Sequence, residues 1–162
     1  MNFKNDEEII DLVRRFESCE INPADFRHYQ HLTVALWYVR QFPYEIASEK
    51  MRTGIQRLAA AYGKSGYHET ITLFWLVTVH DIVARADGER TICDLANRLV
   101  ASCTGKDLIK EYYSAELLST PEAKERWVEP DLKSLPRAAE SVPSASADGI
   151  KVDIHDVQHP TC

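Results

Sequence analysis

Cysteine is scarce: four residues, at positions 19, 93, 103 and 162, with no Cys-x-x-Cys pair. That spacing argues against a cysteine metal site or a redox role and leaves reduced, mostly buried thiols, with a terminal Cys162 expected to be exposed. No apolar run reaches the roughly 18–20 residues that a membrane span needs. No basic helix or Lys/Arg block offsets the 25 acidic residues, against 19 basic ones, and the net charge is −6. A nucleic-acid or anionic-membrane partner would want a basic stripe, so neither is expected. No internal repeat is visible; the stretch 71–79 is strand-like in composition but has no second convincing strand to pair with, since the alternating 148–157 reads as a lone strand or an extended tail. The first eight residues are polar and acidic and do not read as a signal peptide, so a cytoplasmic setting is expected.

What is present is enough for one globular domain. The chain has 162 residues, 44% hydrophobic and 27% charged, which allows a sizeable core. Periodicity is helical almost throughout. Ile9, Ile10, Leu12, Val13 and Phe16 make a stripe over residues 6–18. Asn22-Pro23 is a start signal for a second helix running to about Phe42, with Asp25 as the alternative cap. Pro43 opens a third helix over about 44–62, with Ile46, Met51, Ile55, Leu58 and Ala59 inward, and Gly63 stands where a C-terminal glycine belongs. Ser65 is expected to cap a fourth helix over about 66–86, apolar nearly all round between Ile71 and Val79 and therefore central. Further helices are expected over about 90–102, 107–118 and 122–127. The sequence thus predicts an all-α up-down bundle over residues 1–134. Residues 135–162, rich in Ser, Ala and Pro and then alternating, are expected to be an extended or poorly ordered tail.

Against this regular background two clusters stand out. The first is Phe26-Arg27-His28-Tyr29-Gln30-His31-Leu32, and the second is Gly66-Tyr67-His68-Glu69-Thr70. Three of the six histidines fall in them, beside one carboxylate. His28 and His31, at i and i+3, share a helix face with Leu32, Ala35 and Val39. In an up-down bundle helices two and four run parallel, so both clusters fall at the same end. Packed helices are about 8–10 Å apart, close enough for inward side chains to meet. His80 is about 18 Å along the helix from His68 at ~1.5 Å per residue and is excluded. His155 and His159 lie in the tail.

Such residues suit metal chemistry. His28, His31 and His68 offer three nitrogen ligands and leave a position open for water or substrate. Glu69 is then a fourth ligand or a general base on metal-bound water. The cofactor expected is a divalent metal ion, Zn or Fe first. A set of His28, His31 and Glu69 would suit non-haem Fe(II). Tyr29, Tyr38, Tyr67, Thr72 and Trp75 are the expected wall residues, although Thr72 and Trp75 also read as ordinary core positions. The same polar residues also fit a metal-free hydrogen-bond network that fixes helix packing, or a metal-free acid–base pair.

The pattern Phe26-x-His28-x-x-His31-Leu32-x-Val34-Ala35, followed by Tyr67-His68-Glu69-Thr70-Ile71-Thr72-x-x-Trp75, resembles a family of small bacterial helical proteins that carry both motifs. The resemblance spans roughly residues 22–85 and implies a fold but no activity. In architecture the chain is more distantly similar to the DinB-like bundles, which hold a metal with three histidines across bundle helices. There the paired histidines come late in the chain; here they come first. Two functions follow. One is a metal-dependent enzyme acting on a small molecule, by hydrolysis or transfer ahead of iron-dependent oxidation. The other is a non-catalytic bundle that binds a ligand or protein, with the His/Glu cluster structural. A homodimer is an open assembly for either.

Overall fold

A computed structural model describes residues 2–86, 91–103 and 108–135, and every regular element among them is helical. Helix α1 (Asp6–Glu17) starts where the Asn5 side chain accepts the Glu8 N–H, carries Asp6, Glu7 and Glu8 in its first turn and Arg14 and Arg15 in its last. That charge order complements the helix dipole. Helices α2 (His28–Gln41) and α3 (Tyr44–Ala61) are separated only by Phe42 and Pro43. Helix α3 ends as its sequence predicts. Gly63 adopts φ +61, its N–H reaches the Ala60 carbonyl, and the Lys64 N–H reaches that of Ala59, which is a Schellman ending. Helices α4 (Glu69–Ala84) and α5 (Ile92–Ser102) complete the bundle. A 3-10 turn (Leu108–Glu111) and two short helices, α6 (Ala115–Ser119) and α7 (Pro121–Glu125), follow.

Three boundaries differ from the sequence expectation, each for a local reason. Asn22 makes a turn instead of capping α2: its side chain accepts the Ala24 N–H, and its carbonyl accepts the N–H groups of Asp25 and Phe26. That turn sends Phe26 into the core, where its ring stacks on Phe16 at 4.9 Å. Helix α2 begins five residues later than Pro23, with the Gln30 side chain accepting the Arg27 N–H. Helix α4 cannot begin at Gly66, whose φ of +131 is not helical, so His68 becomes its N-cap. The expected helix over 107–118 is divided. Asp131 binds both the backbone N–H and the hydroxyl of Ser114, and Ser114 caps a new helix at Ala115. The expectations for 136–162 lie outside the described residues.

Pairings across the bundle give its directions. Arg52, midway along α3, meets Glu69 at the start of α4, while Tyr44 at the start of α3 lies beside His80 far along α4. Helices α3 and α4 are therefore antiparallel, and α2 and α4 parallel. Helix α2 packs against α1, α3, α4 and α5 and buries Leu32, Thr33, Val34, Ala35, Leu36 and Tyr38 almost without a break. Helix α4 is buried on two sides. One side joins the main core through Leu76 and Val79, and the other meets Ile109 and Tyr113 of the C-terminal segment through Phe74. This explains its nearly all-round apolar sequence. Between α1 and α3 the Phe16 ring packs directly onto Gly54. A Cβ on Gly54 would lie 2.5 Å from Cε1 of Phe16.

Candidate functional site

The parallel run of α2 and α4 brings the two histidine clusters to one cavity of about 990 Å³. His28, Tyr29 and His31 line it from α2, and Tyr67, His68, Thr72 and Trp75 from α4 and the segment before it. The far walls are apolar, with Met51 and Ile55 from α3, Val100 and Cys103 from the end of α5, and Ile109. Burial raises the Cys103 thiol above its ordinary pKa, so it stays protonated and behaves as an apolar wall.

The three histidines are held differently. His28 opens α2, its ring set edge-on against Trp75 at 4.4 Å between centroids. His31 leans on the Phe26 ring at 4.1 Å, and its Nδ1–H donates to the Arg27 carbonyl at 3.0 Å. His68 uses both nitrogens. Nδ1 accepts the Ile71 N–H at 3.3 Å as the N-cap of α4, and Nε2–H donates to the Leu118 carbonyl at 2.9 Å. A ring so engaged has no lone pair to offer a metal.

Glu69 points away from this cavity. It is 5% exposed, and its two oxygens take the Arg52 Nε–H at 3.0 Å each, the Arg52 Nη2–H and the Tyr67 hydroxyl. Arg52 also holds Glu49 at 2.7 Å. Burial would raise the Glu69 carboxyl, but the hydrogen bonds from Arg52 and Tyr67 outweigh it and leave the group below its ordinary pKa. Hydrogen bonding to Glu69 correspondingly raises the Arg52 guanidinium. Burial, then the bond to Glu69, raises the Tyr67 hydroxyl. Glu69 is thus a fixed anion inside a fork, without a free oxygen for a general base or a metal.

A second cavity, of about 800 Å³, lies on that side, between α3, the start of α4 and the α7 segment. Arg52, Glu69, Tyr44 and Trp127 line it, and Tyr67 is the wall shared with the histidine cavity. Burial pushes the Tyr44 hydroxyl up to about 12.

Thr70, with no exposed surface, completes the motif. Its hydroxyl donates to the Arg126 carbonyl at 2.8 Å and accepts the Val128 N–H at 3.2 Å. Glu69 therefore ties the start of α4 to α3, with Tyr67 bracing its carboxylate, and His68 and Thr70 tie it to the segment 118–128.

The residues expected from sequence divide accordingly. His28, His31 and His68 share one cavity with Tyr29, Tyr67, Thr72 and Trp75. Glu69 faces the other, because its carboxylate is drawn to Arg52. Tyr38 lines neither cavity: it is buried in the main core, and its hydroxyl donates to Glu17 at 3.1 Å. Thr72 donates to the His68 carbonyl at 2.9 Å. His80 lines neither cavity, as its distance along α4 requires. Among the described residues, no group of three or more His, Cys, Asp or Glu side chains is gathered to hold a metal ion. Arg52 is the residue that sequence reasoning missed. Its one signal was Ser48, four residues earlier on the inward side of α3, which marks that edge of the helix as partly buried and polar. No family model, curated protein or solved structure matches the chain. Among the described residues, no helix is long and apolar enough to cross a membrane.

Proposed function

We propose that this chain is a small-molecule-binding helical bundle, in which the polar cluster has two jobs. Tyr67, His68, Glu69 and Thr70 form a structural clamp, and His28 and His31 face the bound molecule. The observation that carries this reading is the division of the cluster. Three histidines line one cavity, yet His68 spends both nitrogens on the backbone and Glu69 spends its carboxylate on Arg52 in another. The cavity has the size and the mostly apolar lining of a ligand site, with a few polar groups at one end.

N-phenyl-1-naphthylamine, a neutral dye that brightens in apolar sites, tests this directly. It should bind saturably, and Thr72→Trp, which fills the cavity from a partly exposed position, should abolish binding while helix content by circular dichroism is unchanged. Dye binding unaffected by that substitution would sink the assignment of the cavity.

A metal-dependent enzyme is the second reading, favoured by the shared wall of His28, His31 and His68. It requires His68 to release the Leu118 carbonyl. Elemental analysis of natively purified protein separates the two readings. About one equivalent of Zn or Fe, lost in His28→Ala, would replace the first reading with the second.

A further inference from the structure

The second cavity, between α3, the start of α4 and the α7 segment, has aromatic walls from three places in the chain: Tyr44 on α3, Tyr67 before α4 and Trp127 after α7. Each ring is held by a different partner. Tyr44 sits edge-on to His80 at 5.5 Å between centroids, and the Tyr67 hydroxyl donates to Glu69. Trp127 sits edge-on to Tyr113 at 6.2 Å, and its indole N–H donates to Glu129 at 2.9 Å. None of the three is in ring contact with another, and no described cation lies over any of them. Two of the rings give a hydrogen bond to a carboxylate, which enriches their π-systems. Fixed partners also leave little ordering to be done on binding.

The charge around these rings leans negative. Of the cations in the lining, Arg52 is held by Glu49 and Glu69, and Arg126 by Glu122. Lys124 has no carboxylate partner among the described residues, and it stands against two lining carboxylates that have no cation there, Glu45 on α3 and Glu125 on α7. Glu129 adds a further negative charge beside the Trp127 ring.

From this arrangement we infer that the second cavity takes a small organic ammonium ion, with its positive group against the rings of Tyr44, Tyr67 and Trp127 and within the field of Glu45 and Glu125. A cation over an aromatic face is attracted by the ring quadrupole, most strongly by tryptophan. An anion would meet Glu45 and Glu125 with no arginine to hold it, since Arg52 uses Nε, Nη1 and Nη2 on glutamates. A neutral molecule of the same shape would gain the ring contact alone. The site is separate from the histidine cavity, and the inference does not depend on what that cavity holds.

The experiment is a proton–nitrogen NMR titration of the full chain with choline and with 3,3-dimethylbutan-1-ol, its neutral carbon isostere. The three indole N–H resonances report on separate places: Trp127 on this cavity, Trp75 on the histidine cavity and Trp37 on neither. Choline should shift the Trp127 resonance saturably, with a Kd about tenfold below that of the isostere, as a partly desolvated cation–π contact allows. Glu45→Gln/Glu125→Gln changes only exposed side chains, so the fold is kept. It should weaken choline about fivefold, as two partly screened charges allow. If the two ligands bind the parent protein equally, the cation inference is overturned. No shift at Trp127 with either ligand, or a shift at Trp75 in its place, also overturns it. A preference for choline undiminished in the double variant would remove Glu45 and Glu125 from the site and overturn the assignment.

Discussion

Arg52 on α3 donates to both carboxylate oxygens of Glu69, the first residue of α4, and it does so from a half-buried position to a nearly fully buried one. Removing either side of such a pair leaves the other without compensation. We expect Arg52→Met to destabilise the protein by about 2–3 kcal/mol, below the full cost of breaking a deeply buried pair because Arg52 keeps some solvent. The double variant Arg52→Met/Glu69→Met should recover part of that loss. Urea denaturation of the four proteins in the cycle measures the coupling, and strictly additive losses would show that the pair contributes nothing.

The same carboxylate makes stability depend on acid. The Glu69 group titrates below its ordinary value of 4.5 in the folded chain, with burial opposing and the Arg52 and Tyr67 hydrogen bonds prevailing. Its contribution is therefore complete above about pH 4.5 and is lost as pH falls through the lower folded value. Asp131, lowered by its hydrogen bonds from Ser114, acts in the same direction. Thermal unfolding between pH 3 and 6 should show a steep loss of stability on acidification, flatter in Glu69→Gln. An identical slope in the two proteins would count against this account.

Thr70 holds the segment after α7 through two bonds made by one hydroxyl. Thr70→Val keeps the shape and deletes both, leaving the Val128 N–H and the Arg126 carbonyl to find other partners. A loss of about 1–3 kcal/mol is expected. Hydrogen exchange should locate it: amides of 117–128 should lose protection while those of α1 keep theirs. Uniform loss over the whole chain would mean that the segment and the bundle open together.

Gly54 is defined by contact, since Phe16 occupies the space of a Cβ and is itself fully buried and stacked on Phe26. Gly54→Ala should cost about 1–3 kcal/mol through overpacking, although alanine is the better helix former. A melting temperature equal to or above that of the parent would show that Phe16 yields.

Much of this was legible in the residues themselves. The stripe of α1, the Pro43 break, the Gly63 ending and the parallel run of α2 and α4 all come from periodicity and short loops, which are local properties. That parallel run is also what unites His28, His31 and His68. The fate of Glu69 was not legible, because its neighbour His68 faces one cavity while Glu69 turns to an arginine seventeen positions earlier, and no local pattern records that choice. The start of α2 was misplaced for a similar reason. Asn22-Pro23 is a sound start signal, but burying Phe26 against Phe16 outweighs it. The division of 107–118 depends on Asp131, which stands seventeen residues beyond the serine it binds.

The histidine cavity is walled by Val100, Cys103 and Ile109 as well as by the two motifs. All three motif histidines lie before residue 70, so a chain emerging from its N-terminus displays them long before anything covers them. The remaining walls arrive only with the end of α5 and the segment after it, which supply Val100, Cys103 and Ile109. A chain that ends after Ala86 would thus keep both motifs intact and lack the wall that faces them from Val100, Cys103 and Ile109.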